Sequence, residues 1–135
     1  MSEKQCTIKK SVSLTGVGLH TGKKTTITFN PAPENHWYKF QRVDLDGKPI
    51  IDADADLVVD TSRGTVLEKN GARVHTVEHV LAALRGLEID NCLIEVTGPE
   101  MPIMNGSSMP FIEALEKAGI VDQEADRVYF ELKSN

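Results

Sequence analysis

The order of apolar and polar positions predicts strands through the first half of the chain. Residues 24–29 alternate, with Thr, Ile and Phe on one side and Thr on the other, which is typical of a strand with one buried face. Residues 6–14 and 37–43 are also predicted as strands. A Gly-rich connection at 16–22 joins the first two, and Pro-containing turns separate the others. This half of the chain therefore indicates mostly antiparallel sheet.

A hairpin and a further strand follow. The dipeptide Asn70-Gly71 is a strong signal for a tight turn, and it lies between strand-like residues 65–68 and 72–74. Residues 91–97 are predicted as another strand. Three of its apolar side chains occupy every second position and are expected to face one way: Cys92, Ile94 and Val96.

Two helices are predicted in the second half. The first covers residues 76–85 and ends at Gly86, a residue type preferred just past a helix end. The second begins after Ser108 as the cap, has Pro110 in its first turn and ends at Gly119. Both carry apolar stripes at helical spacing: Val77, Val80, Leu81 and Leu84 in the first, and Phe111, Ile112, Leu115 and Ala118 in the second.

These elements predict an α+β fold with a mixed, largely antiparallel sheet and two helices. With 135 residues and 40% apolar content, residues 1–125 are expected to form one globular domain with a real core. Residues 128–132 look like the start of a new strand, so we expect 126–135 to begin a connection to a second domain.

Charge and cysteine content narrow the classes of partner and location. The net charge of -5 argues against nucleic acid, because phosphate binding relies on clustered Lys and Arg. The sequence shows neither an apolar signal-peptide region nor an apolar run long enough for a membrane span, so a cytoplasmic location is expected. Cys6 and Cys92 have no metal-binding or disulfide spacing and are predicted to be small buried apolar residues.

The run His75-Thr76-Val77-Glu78-His79 carries the chemistry. A Glu beside a His supplies a base for a metal-activated water and an imidazole ligand for zinc. One interpretation is an H-x-x-E-H zinc motif with both histidines as ligands. The other makes His75 the helix N-cap and Glu78 a capping residue at the third helical position. Helical phase predicts that the helix is apolar or small nearly all round, so that other parts of the protein cover Glu78 and His79.

The Gly-rich connection at 16–22 lacks the spacing of a phosphate-binding loop, and a strand follows it. His20 lies on this turn, where a polar ring can reach a ligand. An exposed histidine without a function is the alternative.

Four blocks of sequence together resemble the N-terminal half of the LpxC family of zinc-dependent deacetylases. They are Thr15-Gly16-Val17-Gly18-Leu19-His20-Thr21-Gly22-Lys23-Lys24, Thr76-Val77-Glu78-His79, Gly86-Leu87-Glu88-Ile89-Asp90-Asn91, and Pro99-Glu100-Met101-Pro102-Ile103-Met104-Asn105-Gly106-Ser107. The family acts on UDP-3-O-(3-hydroxyacyl)-N-acetylglucosamine in lipid A (lipopolysaccharide) synthesis of Gram-negative bacteria. The resemblance implies two helices packed on one face of the sheet, plus a small β insert. It also implies that this domain is one half of a two-domain β-α-α-β sandwich whose active site lies between the domains.

The resemblance also implies the roles of residues. His79 becomes the one zinc ligand from this half, and Glu78 the general base that activates water. His20 would lie near the metal cleft, and Thr61, Ser62, Arg63 and Gly64 would belong to an insert beside the substrate. The other ligands would come from a C-terminal domain, so that this chain alone is expected to be inactive. The family commonly has Asp where this chain has Asn105, and often Ser at the position of His75.

Two other hypotheses stay open on the sequence. One is a self-contained H-x-x-E-H zinc hydrolase, which needs both His75 and His79. The other is a binding domain without catalysis, in which Glu78 only caps a helix.

Overall fold

The structure, a computed structural model, describes residues 3–54, 57–61 and 64–127. Within these residues the chain forms ten strands and two helices. In chain order they are β1 Lys4–Ile8, β2 Val12–Val17, β3 Lys24–Pro31, β4 Tyr38–Arg42, β5 Ile50–Asp52, β6 Val58–Thr61, β7 Gly64–Lys69, β8 Ala72–His75, α1 Glu78–Gly86, β9 Cys92–Val96, α2 Met109–Ala118 and β10 Ile120–Asp126.

A five-stranded sheet with the order β2-β3-β9-β4-β5 forms the centre. Only β4 and β9 of this sheet run parallel, and the other pairs are antiparallel. One row of fully buried side chains crosses four of the strands in register: Phe29, Ile94, Phe40 and Ile51. The predicted alternation in β3 and β9 is confirmed, since Ile27 and Phe29 are buried and Cys92, Ile94 and Val96 of β9 are fully covered.

The two helices contribute to the same core as the central sheet. The ring of Phe111 in α2 meets the ring of Phe29 edge to face, with 6.3 Å between centroids, a geometry that aromatic pairs prefer. The predicted stripe of α1 is buried throughout, as are all members of the α2 stripe except the partly buried Ile112. The α+β fold is therefore confirmed.

The first predicted strand is wrong in one respect, because residues 6–14 form two strands instead of one. The exposed pair Lys9 and Lys10 separates β1 from β2, and the two strands belong to different sheets. β1 pairs with β10, so the first and last strands of the described chain lie side by side. The backbone N–H of Arg127 donates to the carbonyl of Glu3 at 2.8 Å and extends this pairing.

The insert is a three-stranded antiparallel sheet, β6-β7-β8. Its β7–β8 hairpin turns at Asn70 and Gly71, which have φ values of 52° and 84°, as the predicted turn requires.

The described residues include no helix with the length and apolarity needed to cross a membrane. Cys6 and Cys92 are buried free thiols, as expected.

β10 ends at Asp126, beside the predicted boundary at residue 125. The predicted strand at 128–132 lies outside the described residues, and the division into domains stays a prediction.

Candidate functional site

Glu78 and His79 are the first two residues of α1, directly after the insert sheet. The N-cap is Val77, which offers no side-chain bond. The expected cap at His75 is therefore wrong, because His75 is the last residue of β8 and lies in a backbone ladder. Its N–H donates to the Pro99 carbonyl, and its own carbonyl accepts from Met101. Since His75 is not helical, it does not share a helix face with His79.

Thr76 forms the joint between β8 and α1 and adopts a left-handed backbone conformation with φ of 63°. For a β-branched residue this conformation is strained and persists only where surrounding contacts fix it. The Thr76 N–H donates to the carbonyl of Thr65 at 2.8 Å, and its hydroxyl contacts Oε2 of Glu100 at 3.4 Å. The sharp turn sends the chain from the insert directly into the helix that begins with Glu78.

The carboxylate of Glu78 is held by the start of β7. Its Oε2 accepts a hydrogen bond of 3.0 Å from the backbone N–H of Thr65. Gly64 lies against the other oxygen, since a Cβ added there would be 3.1 Å from Oε1. Gly64 has φ of +114°, a value that favours glycine. The Thr65 N–H and the close approach of Gly64 therefore fix the orientation of the Glu78 carboxylate at the start of α1.

The side of α1 that carries the pair is open in this chain. Glu78 and His79 are partly exposed, and Ala82 and Arg85 further along the helix are exposed. The expectation that other parts cover Glu78 and His79 is not met within the described residues. The carboxylate and imidazole are thus accessible to a ligand or to another domain.

Glu100 is a buried carboxylate that ties the Gly-rich connection to this region. It is 1% exposed and accepts backbone N–H bonds from His20, at 3.1 Å to each oxygen, and from Thr21 at 2.9 Å. Burial alone raises the pKa of Glu100, but the hydrogen bonds from Thr21 and His20 outweigh burial and hold the pKa below its ordinary value. The carboxylate is therefore ionised at neutral pH.

The His75 imidazole interacts with the Glu100 carboxylate and with positively charged side chains around it. Burial lowers the pKa of His75 below its ordinary value, the Arg73 guanidinium lowers it further, and the Glu100 carboxylate opposes both. Arg42 and His20 also act to lower it. His75 is consequently neutral near pH 7 and adds no charge to the site.

Among the other residues predicted to contact the substrate, Gly64 lies against Glu78 and Thr61 pairs with Gly64. Thr61 ends β6 and pairs with Gly64 across the insert, so Gly64 links this strand end to the Glu78 carboxylate. Ser62 and Arg63 lie outside the described residues. His20 is connected to the start of α1 through Glu100 and Thr76.

Asn105 stabilises the loop before α2. Its Oδ1 accepts bonds from the N–H of Ser107 at 3.0 Å and from the Ser107 hydroxyl at 2.7 Å. Ser107 in turn accepts the N–H of Met109 at the helix start. Ser108 occupies the predicted cap position but makes no side-chain cap bond, so Ser107 takes over that role. An amide at position 105 is sufficient for these contacts.

The donor set fits a metal ion only in part. An imidazole such as that of His79 is a common zinc ligand, yet zinc requires about four ligands in total. Across residues 3–54, 57–61 and 64–127, no three His, Cys, Asp or Glu side chains gather as a metal site requires.

Sequence reasoning missed Glu100 and Thr65 as parts of this site. Glu100 appears in one of the four family blocks, but an isolated Glu in a Pro-rich loop shows no periodicity that reveals its burial. Thr65 acts through its backbone N–H, which no side-chain pattern reports.

The fold and site define an α+β domain that presents a carboxylate and an imidazole at one helix N-terminus. The family model described as LpxC, UDP-3-O-acyl N-acetylglycosamine deacetylase, matches residues 5–135. The chain belongs to this family, which confirms the resemblance seen in the sequence.

Named relatives give the extent of this similarity. The chain is 56% identical over 131 residues to the bifunctional enzyme LpxC/FabZ of Bacteroides thetaiotaomicron, covering 97% of this chain and 28% of that protein. It is 54% identical over 125 residues to the bifunctional enzyme of the same name in Chlorobaculum tepidum, covering 93% and 27%. It is 47% identical over 130 residues to the UDP-3-O-acyl-N-acetylglucosamine deacetylase of Methylococcus capsulatus, covering 96% and 43%. The chain thus spans less than half the length of these relatives.

Proposed function

We propose that this chain is the N-terminal part of a zinc-dependent deacetylase that removes the N-acetyl group of UDP-3-O-(3-hydroxyacyl)-N-acetylglucosamine. The observation that carries the proposal is the adjacent pair at the start of α1. The Glu78 carboxylate is oriented by the Thr65 N–H, and the His79 imidazole follows it on an accessible side of the helix. Membership of the deacetylase family supports the same assignment.

Each residue of the pair has one role in this proposal. When bound, zinc supplies Lewis acidity that activates water and polarises the acetamide carbonyl. His79 is one of its ligands. Glu78 takes the proton of the attacking water as general base. The Thr65 N–H keeps the Glu78 carboxylate in one orientation, so that it is ready to accept this proton.

The remaining ligands come from a C-terminal domain in this proposal, and the isolated chain is inactive. The described residues supply one ligand beside Glu78 and no three-residue metal cluster, and the relatives are more than twice as long. An exposed apolar surface supports the docking of another domain. Val17, Leu19 and Met109 are 49%, 60% and 51% exposed, and Val17 also lines an apolar depression of about 530 Å³ between β2 and residues 103–110.

The insert and His20 would contact the substrate. Gly64 meets the Glu78 carboxylate, which supports a position of the insert beside the reacting group. The loop with His20 is tied by Glu100 to the residue two positions before Glu78. The enzyme acts in the cytoplasm in this proposal, since the buried free thiols of Cys6 and Cys92 suit a reducing compartment.

The experiment compares variants of the full-length protein for zinc content and deacetylase activity. Glu78→Gln is expected to keep zinc and to lower kcat by roughly 10²- to 10⁴-fold, the usual contribution of a general base. His79→Ala is expected to lose zinc. Glu113→Gln, an exposed position on α2, and His36→Ala, next to β4, are the matched controls and should leave both quantities unchanged. Full turnover by Glu78→Gln would contradict the assignment and favour the non-catalytic binding domain.

The self-contained H-x-x-E-H hydrolase is tested by His75→Ala. Since His75 ends β8 and its backbone lies in a ladder with Pro99 and Met101, the variant should retain zinc. Loss of zinc equal to that of His79→Ala, together with stoichiometric zinc in the isolated chain, would favour the self-contained site.

A further inference from the structure

Glu100 carries a negative charge although its side chain is buried, and an unmatched buried charge is unfavourable. It is 1% exposed, and a carboxylate removed from water must be matched by hydrogen bonds or an opposite charge. Its partners are the N–H groups of His20 and Thr21, the hydroxyl of Thr21 and the hydroxyl of Thr76. The carboxylate is thus compensated largely by one loop, the Gly-rich connection at 16–22.

Gly18 makes this contact possible. A Cβ added at Gly18 would lie 2.1 Å from Oε1 of Glu100 and 2.8 Å from the Thr21 hydroxyl oxygen, far inside contact distance. The loop closes on itself around this point, because the Gly18 N–H donates to Lys23 and the Gly22 N–H donates to Gly18. The loop therefore fits closely around the carboxylate and presents its N–H groups to it.

The other side of Glu100 faces the segment that leads into α1. Glu100 pairs with His75 in a parallel bridge, and its Oε2 meets the hydroxyl of Thr76. Thr76 lies two residues before Glu78 and holds the strained turn that starts the helix. One buried carboxylate thus joins the backbone of His20 to the residues that aim Glu78 and His79.

We propose that Glu100 is a positioning residue, which holds His20 at a fixed place relative to Glu78 and His79. The inference rests on the proposed function and deepens it. Glu100 itself is buried and does not touch the substrate. It acts through the loop, because the N–H groups of His20 and Thr21 both donate to its carboxylate and so fix the backbone that carries the His20 side chain.

The first test measures the loop directly in the full-length protein. Glu100→Gln keeps the shape of the side chain but replaces one acceptor oxygen by an NH₂ group that faces backbone donors. We expect hydrogen exchange at His20 and Thr21 to accelerate by about tenfold or more, because the loop opens more often. Thr21→Val removes the hydroxyl that contacts Glu100 and accepts the Lys23 N–H, but it keeps the backbone N–H bond to Glu100. It should shift exchange in the same direction by less, so that a folded variant remains available. Unchanged exchange at His20 and Thr21 in both variants would overturn the proposal.

A matched control separates positioning from general destabilisation. Asp90 is another largely buried carboxylate that accepts a backbone N–H, from Cys6 at 2.8 Å, and it lies away from the loop. Asp90→Asn should lower the melting temperature without changing exchange at His20 or kcat/KM. An equal loss of kcat/KM in Asp90→Asn and Glu100→Gln would show that Glu100 only stabilises the fold, and would contradict its role as a positioning residue.

The second test is a double-mutant cycle on kcat/KM. His20→Ala keeps the backbone N–H and therefore the contact with Glu100, but it removes the side chain that Glu100 positions. We expect Glu100→Gln to lower kcat/KM by roughly tenfold or more in wild type, as misplacement of a site group does, and to have little further effect in His20→Ala. If the two substitutions lower kcat/KM additively, or if His20→Ala keeps wild-type kcat/KM, then Glu100 does not act through His20. Absence of deacetylase activity in the wild-type protein would instead refute the proposed function, and the exchange measurement would still decide whether Glu100 holds the loop.

Discussion

The backbone N–H of Thr65 donates a 3.0 Å hydrogen bond to Oε2 of Glu78, across 13 positions of sequence. The bond joins the insert sheet to the first residue of α1. It gives Glu78 a structural role in addition to the proposed catalytic one, and the two roles are separable by the choice of substitution.

Glu78→Gln and Glu78→Ala should differ in stability. The amide of Gln retains an oxygen that can accept the Thr65 N–H, so the free energy of unfolding should change by less than about 1 kcal/mol. Alanine leaves that N–H without its acceptor and should cost about 1–2 kcal/mol. Urea denaturation measures both. Equal destabilisation by the two variants would show that the Thr65 bond does not depend on an acceptor at position 78.

Gly64→Ala should disturb both the backbone and the Glu78 carboxylate. A side chain at φ of +114° is strained, and its Cβ would press on Oε1 of Glu78 at 3.1 Å. We expect a loss of about 1–3 kcal/mol in the free energy of unfolding and reduced kcat in the full-length protein. Gly47→Ala is the control, since Gly47 also has positive φ but nothing within 4 Å of an added Cβ. Equal kcat losses in both variants would contradict the contact with Glu78.

The ion pair of Arg42 and Asp44 should make stability depend on acid pH. Arg42 is 7% exposed and donates twice to the Asp44 carboxylate, at 2.9 and 2.7 Å. This bond to Arg42 holds the pKa of Asp44 below its ordinary value. Because the pKa is lower in the folded state than in the unfolded state, the stabilisation is full above the unfolded pKa of about 3.9 and disappears as pH falls through the folded value.

Denaturation of wild type and Asp44→Asn across pH provides the measurement. The wild type should be more stable by a constant amount between about pH 5 and pH 7, and the difference should vanish in stronger acid. Asp46→Asn, at the exposed position two residues later, is the charge-matched control with which Asp44→Asn is compared. A difference between wild type and Asp44→Asn that grows in acid would refute this explanation.

The two cysteines should resist thiol reagents in the folded protein. Burial, together with the hydrogen bond to Asp122, raises the pKa of Cys6 to about 11, and burial raises the pKa of Cys92 to about 12. Since the thiolate is the reactive form, labelling by iodoacetamide at pH 8 should be negligible until urea unfolds the chain. Rapid labelling of Cys92 under native conditions would contradict its burial.

Elements with a strong local pattern were predictable from the sequence. The Asn70-Gly71 hairpin and the end of α2 at Gly119 each follow from a residue type with a clear conformational preference. The strand β9 follows from the spacing of its apolar residues. By contrast, β10 contains Asp, Gln and Glu and is mostly exposed, so its own sequence gives no strand signal. It forms because β1 offers a free edge for pairing.

The ends of α1 show why local signals failed near the site. The helix was expected to begin at Thr76 and to end at Gly86, yet Thr76 is left-handed and Gly86 is still helical. The left-handed residue after the helix is Glu88. Tertiary contacts at Thr65 and Glu100 fix the start of the helix, and such contacts have no signature in a short window of sequence. The pair Glu78 and His79 was found because its chemistry is local, whereas its supports come from distant segments.

The pairing of β1 with β10 has a consequence for how the chain acquires its structure. Lys4 meets Asp126, a partner 122 positions away, so β1 has no strand to bind until residues 120–126 have been synthesised. Contacts of such long range form slowly, because a large loop must close before they are gained. We therefore expect β1 to dock last, after the central sheet and helices have formed, and truncation before Ile120 to leave an exposed strand edge that promotes aggregation.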